Sequence, residues 1–250
     1  HVTSFPEESM DNSKVDFIIT GGDYDFLLLS ICENISKRKK FEPGIWFRDG
    51  KKVQNTGPFN LCNDLNELPL IDRNLTMWHL YSENGNYKHL PGTYTMVGRD
   101  CWWGKCRFCS WPTLFPKFRT RTPESLFKEI KMLVEDFGIK EIMDDTGTFP
   151  VGNWLNNFCS LMIDSGLNKK VRISCNMRFG VLGPKEYALM RKAGFRLLLF
   201  GLESANQDTL DRLDKGVKVQ DQYLGAKWAK QAGLNPHLTC MIGYPWEDYN

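Results

Sequence analysis

Four times in its second half the chain runs a helix-like pattern into a glycine, an apolar residue and then an apolar stretch: Gly138-Ile139, Gly166-Leu167, Gly194-Phe195 and Gly233-Leu234. The glycines are 28, 28 and 39 residues apart, the pitch of successive strand-helix units. Glycine past a helix end takes the left-handed conformation without a side-chain penalty, and the apolar residue after it packs back on the last turn. The runs that follow are Glu141 to Met143, Val171 to Cys175, Leu197 to Phe200 and His237 to Ile242, short and apolar enough for strands covered on both faces. Thr93 to Val97 adds a fifth strand ahead of them. Thr122 with Pro123 at the first helical position precedes a stripe of Leu126, Ile130, Leu133, Val134 and Phe137, and Ser204 with Gln207 forms a capping-box pattern before Leu210 and Leu213. Strands alternating with helices require crossovers and a parallel sheet, most economically a barrel. Five strands do not close one, so the expected fold is α/β, a partial parallel (β/α) barrel over residues 89–250 that is truncated at its C-terminal end.

Residues 1–88 read differently. Val15 to Thr20 forms a short strand ending in Gly21-Gly22-Asp23, and residues 24–37 form a helix with Leu27, Leu28, Ile31 and Ile35 on one side. A hairpin is expected next, turning at Asp49-Gly50, followed by a linker over residues 55–91 that packs along another surface. Residues 15–37 are thus one strand-turn-helix unit, with a domain boundary expected near residue 88. In 250 residues, 42% of them hydrophobic, there is enough apolar mass for one large core or two modest ones. The net charge of +2, with both signs interspersed, announces no nucleic-acid partner. No apolar run is long enough to span a membrane and the first 30 residues lack the pattern of a signal peptide, so a cytoplasmic protein is the expectation. The chain starts on His1 rather than Met and stops at Asn250 just after a turn, which reads as a piece of a longer protein.

Eight cysteines are too few for a disulfide scaffold, and Cys32, Cys62, Cys159, Cys175 and Cys240 stand alone. Cys101, Cys106 and Cys109 are crowded into one loop, Arg99 to Trp111, at the end of the first barrel strand. Chemistry in such folds gathers at the carboxyl ends of the strands. Three thiols on a loop containing Gly104 can converge on a single metal centre while the flanking aromatics exclude water. Zinc would want a fourth protein ligand, for which His89 is the candidate among His1, His79, His89 and His237. Unligated core cysteines are the plainest alternative. A 4Fe-4S cluster held by three cysteines leaves one iron free to bind a substrate or cofactor, and the count of three favours it.

The triplet, with Phe108 just before its last cysteine, resembles the cluster loop of the radical S-adenosylmethionine (SAM) superfamily, with four residues between Cys101 and Cys106 where three are usual. The stretch from Arg99 to Glu129, including Arg119-Thr120-Arg121-Thr122-Pro123-Glu124, looks most like the members that carry an amino-terminal cobalamin-binding domain. The resemblance covers residues 15–250 and implies a radical SAM barrel preceded, over residues 1–88, by the C-terminal part of an α/β, Rossmann-like domain of the cobalamin-binding kind. It places Asp144, Asp145 and Thr146 where the superfamily holds the SAM amino group, with a solvated turn as the alternative. It sets Arg178 near the SAM carboxylate, with a structural ion pair as the alternative, and Glu203 and Ser204 at the ribose or methionine part. Gly243 and Tyr244 fall in the turn that packs on adenine. A carboxylate at Glu203, between an apolar strand and a helix start, is better explained by a ligand than by the core.

The implied chemistry is single-electron reduction of the cluster by a partner such as flavodoxin or ferredoxin, cleavage of SAM to methionine and a 5'-deoxyadenosyl radical, and hydrogen abstraction from a substrate these residues do not name. Cobalamin-dependent methyl transfer or rearrangement follows from the subfamily, although the Asp-x-His-x-x-Gly segment that supplies a lower cobalt ligand in many members is not in these residues. A radical SAM methylthiotransferase, a zinc-stabilised interaction module and an electron-transfer protein are the competing readings. Trp102, Trp103 and Trp111 are expected to cover the cluster rather than line a substrate pocket.

Overall fold

The computed structural model describes residues 1–83, 85 and 87–247. The chain begins with a short helix, α1 (Pro6–Asp11), then β1 (Phe17–Ile19), α2 (Tyr24–Lys37), β2 (Ile45–Asp49) and β3 (Lys52–Asn55). These three strands form an antiparallel sheet in the order β1-β2-β3, and α2 packs Leu27 and Ile31 on Ile45. Leu28 and Ile35 are instead exposed, at 55% and 67%, because the small sheet covers only one stripe of α2. The hairpin forms as expected but its turn is one residue later: Asp49 pairs with Lys52, so Gly50 and Lys51 are the central pair. Only Gly50 takes positive φ (60°), as the hairpin turn with glycine in its first central position requires.

After an irregular stretch with two single 3-10 turns come β4 (Gly92–Thr95), β5 (Gly98–Arg99), α3 (Trp111–Leu114), β6 (Arg119–Thr120) and α4 (Pro123–Phe137). The chain continues through β7 (Glu141–Asp144), α5 (Asn153–Asp164), β8 (Arg172–Met177), α6 (Pro184–Lys192) and β9 (Phe195–Glu203). It closes with α7 (Gln207–Arg212), α8 (Val219–Gln231) and β10 (Asn235–Cys240). All pairings in the main sheet are parallel, in the order β10-β9-β8-β7-β4, which is a partial barrel with β4 and β10 as its open edges. The core lies between this sheet and its helices, built from Leu126, Ile130 and Leu133 of α4, Leu155 and Phe158 of α5, and Ile142, Ile173 and Leu198 of the strands. β10, expected to be covered on both faces, is mostly exposed because β9 alone pairs with it. Gly138, Gly166, Gly194 and Gly233 all have positive φ at or just past helix ends. Thr122 caps α4 through Ser125 N, whereas α7 is capped by Asn206, whose side chain accepts from Asp208 N and Thr209 N, rather than by Ser204. No helix among the described residues is long and apolar enough to cross a membrane.

Buried charge ties the amino-terminal part to the barrel. β5 and β6 pair antiparallel with Arg99 opposite Arg119, and they bracket the cysteine loop. Like charges directly opposite repel, and Asp23, 2% exposed, sits between them. Its carboxylate accepts from Arg119 Nη1 and Nη2 at 2.9 and 2.6 Å and from Arg99 Nη1 at 3.1 Å. Asn63 Nδ2 adds a bond at 3.1 Å, and Asp25 takes the other side of Arg99. Phe115, from the same loop, packs so closely on Gly22 that a Cβ there would lie 1.8 Å from its ring. The linker is held likewise: Arg73 Nη2 donates to Glu129 Oε1 at 2.9 Å, and Arg121 takes the other carboxylate oxygen at 2.6 Å.

Burial raises the Asp23 pKa, but the bonds from Arg119, Asn63 and Arg99 outweigh it and hold the carboxyl below its ordinary 3.8. The unfolded chain therefore takes up the proton first as pH falls. The stabilisation is full above about 4 and is lost as pH drops through the depressed folded value. Asp23→Asn is expected to cost about 3 kcal/mol at neutral pH in denaturant titrations, and the gap to wild type should narrow in acid. Equal stabilities at pH 7 would show that the pair does not hold the loop.

Candidate active site

The site is assembled from the loop between β5 and β6 and from the carboxyl ends of β7 to β10. Cys101, Cys106 and Cys109 are free, half-buried thiols. All three line a cleft of about 200 Å³, walled by Gly147 and Thr148 after β7, Asn176 and Arg178 at the end of β8, Gly201 and Glu203 of β9, and Thr239 of β10. A smaller hollow of about 20 Å³ on the other side of the loop touches the same three cysteines and is closed by Trp111, Pro112 and Phe115. The loop is fastened at several points. Cys101 Sγ lies 3.1 Å from Thr148 Oγ1, and Asp100 accepts from Gly147 N. Arg107 N donates to Leu213 O at 2.9 Å, and Trp103 Nε1 to Asp214 O at 2.8 Å.

Two cations face the thiols. Lys215 Nζ donates to Glu203 Oε1 at 2.7 Å and lies 5.7 Å from the centre of the Phe108 ring. Glu203 itself has φ of +62°, an uncommon conformation for a side-chain-bearing residue, which turns its carboxylate toward that lysine. Arg178 stacks on Trp103. Burial pushes the Cys106 and Cys109 thiols up; Lys215 and Arg178 pull Cys106 back down, and the Trp111 N–H does the same for Cys109. Burial lifts Asp100 to about 6, with the Gly147 N–H opposing and the Asp145 charge adding.

Of the residues singled out in the sequence, the three cysteines, Phe108, Arg178 and Glu203 share the cleft. Asp144 lies elsewhere: it is 1% exposed, and its carboxylate accepts from Thr95 Oγ1 at 2.9 Å and Thr146 N at 3.2 Å. Thr146 Oγ1 takes Val97 N and Gly98 N, both at 2.9 Å, and so fastens the turn between β4 and β5. Asp145 is exposed on a second, larger cleft. The segment therefore meets the thiols through Gly147 and Thr148. Ser204 Oγ bonds to Glu247 Oε1 at 3.3 Å. Tyr244 stacks on Trp246, and Gly243 takes φ of +90° beyond the end of β10; neither lines the cysteine cleft. Lys215, Asn176, Thr148 and Thr239 were not singled out. Lys215 carried the only readable signal, a basic residue in a Gly-bearing loop just after a helix.

His89 does not complete a zinc site. Its backbone N–H bonds to Glu141, the first residue of β7, which puts it at the amino ends of the strands, opposite the cysteines. Among the described residues no three His, Cys, Asp or Glu side chains stand close enough to share one metal ion. An iron-sulfur cluster takes its thiolates on separate irons, so three thiols around a hollow, with the buried Arg178 guanidinium beside them, fit a 4Fe-4S group.

The radical SAM superfamily model matches residues 95–250. The chain belongs to the radical SAM superfamily. It is 28% identical over 99% of its length to an uncharacterized methyltransferase of Pyrococcus horikoshii and spans 53% of that relative, about half. Its fold is that of the cobalamin-dependent radical SAM enzyme OxsB, solved with aqua-cobalamin and SAM bound, at a TM-score of 0.77 and 16% identity over 96% of this chain and 35% of that one. The radical SAM methyltransferase TsrM of Kitasatospora setae, solved with tryptophan and a SAM analogue, matches at 0.77 and 13% identity over 98% of this chain and 49% of its own. Both matches run through the amino-terminal sheet as well as the barrel.

In this radical SAM chain Gly201 is the floor of the charged corner: a Cβ there would lie 2.3 Å from Glu203 Oε1 and 2.7 Å from Lys215 Nζ. Gly201→Ala is expected to displace that buried pair and lower the thermal midpoint by a few degrees; an unchanged midpoint would show that the corner absorbs the added methyl.

Proposed function

We propose that the protein is a radical SAM enzyme with Cys101, Cys106 and Cys109 as the ligands of a 4Fe-4S cluster and SAM bound across the carboxyl ends of β7 to β10. The observation that carries this is the sharing of one cleft by the three thiols, Arg178 and the Glu203–Lys215 pair. When bound, the cluster supplies the electron for reductive cleavage of SAM. The chain's own residues bind and orient. Arg178 offsets the thiolate charge, the Glu203 carboxylate, paired with Lys215, is placed for hydroxyl or ammonium groups, and Phe108, Leu199 and Phe200 keep the cleft apolar between them. Phe108 is itself 41% exposed and forms the outer lip.

The reaction class proposed is methyl transfer or a related rearrangement with cobalamin as second cofactor. It is supported by the methyltransferase relative, by the cobalamin bound in the matched OxsB structure and by the extent of both structural matches. A cleft of about 720 Å³ between α2, the linker and the barrel is open for a large group beside the strand ends; it is lined by Tyr24, Leu65, Leu70, Met96, Arg99 and Asp145.

Anaerobic reconstitution of the full-length protein is expected to give iron and sulfide in the 4:4 ratio, and with dithionite and SAM to release 5'-deoxyadenosine and methionine. Cys101→Ala, Cys106→Ala and Cys109→Ala should each abolish both, while Cys159→Ala in the core should leave iron content unchanged. Stoichiometric zinc in place of iron, or full iron in the Cys106→Ala variant, would contradict the assignment.

A further inference from the structure

Arg178 is 6% exposed and forms no ion pair among the described residues, and its Nη2 has no hydrogen-bond partner. A buried guanidinium without a carboxylate is costly, so something else must compensate it. Its surroundings show what. The guanidinium carbon lies 4.3 Å from the centre of the Trp103 ring and 5.7 Å from that of Trp102, both in the four-residue stretch between Cys101 and Cys106. Such stacking supplies part of the lost hydration. Trp103 is itself fixed, by its bond to Asp214 O and by Gly216, where a Cβ would lie 2.1 Å from the indole. Burial disfavours the charged form of Arg178, while Cys106 and Cys101, and to a lesser degree Asp214, favour it. Trp102 and Trp103, between the first two cysteines, thus form an aromatic platform that holds a cation beside the thiols.

We propose that Arg178, stacked on Trp103 and Trp102, is an electrostatic ligand of the cluster that raises its reduction potential by holding its positive charge beside the cysteine sulfurs. This rests on the assignment of the cluster to the three cysteines. An uncompensated positive charge beside the cluster favours its more negative, reduced form, and hydrogen bonds to the sulfurs act in the same direction. The Trp103 ring keeps the guanidinium from turning away and shields it from water.

The test is a redox titration of the reconstituted full-length protein followed by electron paramagnetic resonance, without SAM. Arg178→Gln should shift the cluster midpoint to more negative values at unchanged iron content, Arg178→Lys should restore most of it, and Trp103→Phe should give a smaller shift of the same sign. A loaded Arg178→Gln protein with the wild-type midpoint would overturn the proposal, and a loss of SAM affinity alone would assign Arg178 to SAM. If Arg178→Gln takes up no cluster, Trp103→Phe decides: an unmoved midpoint overturns the proposal. A wild-type protein that takes up no iron would instead refute the cluster assignment beneath it.

Discussion

Asp23 lies between the guanidinium groups of Arg99 and Arg119, and these two arginines face each other across the two short strands where the cysteine loop begins and ends. Without an anion there, the neck of the loop would be a pair of opposed buried charges. With it, the neck is closed and the three thiols are delivered to the strand ends. The carboxylate belongs to the start of α2, in the amino-terminal part, and is spent on the arginines rather than on capping its own helix, whose first turn it does not bond. The position of the site in the barrel thus depends on a residue 78 positions before the first cysteine (101 − 23). Phe115 on Gly22 reinforces the same joint by close packing.

The sheet sets the other half of the geometry. Parallel strands in chain order leave every carboxyl end on one side, and β7, β8 and β9 each end in a residue or turn that faces the loop. The cleft holds more fixed positive charge than negative: Lys215 is matched by Glu203, but Arg178 is matched only by the thiols. An anionic cluster with thiolate ligands suits that imbalance, and three neutral thiols do not.

Much of this was legible in the sequence, and for physical reasons. Glycines past helix ends mark a conformation that other residues take only under strain, so Gly138, Gly166, Gly194 and Gly233 announced the strand-helix repeat. Thr122-Pro123 marked α4 because capping is local. The hairpin turn slipped by one residue because cross-strand pairing, not the Asp49-Gly50 dipeptide, fixes register. The cap of α7 moved to Asn206 because Ser204 and Asn206 are both good acceptors and only three-dimensional placement chooses between them. The crowding of Cys101, Cys106 and Cys109 into one loop at a strand end was legible because all three lie within nine consecutive residues. Asp144 and Thr146 were not, because the partners that absorb them, Thr95, Val97 and Gly98, lie almost 50 residues upstream. Lys215 depends in the same way on Glu203, which only the fold brings near.

Low-temperature electron paramagnetic resonance of the anaerobically reconstituted, dithionite-reduced full-length protein, with and without SAM, tests the central claim most directly. A cluster with three cysteine ligands and an open iron predicts a reduced 4Fe-4S signal whose g values shift when SAM is added. A cluster signal indifferent to SAM, or a protein holding zinc and no iron, would contradict it.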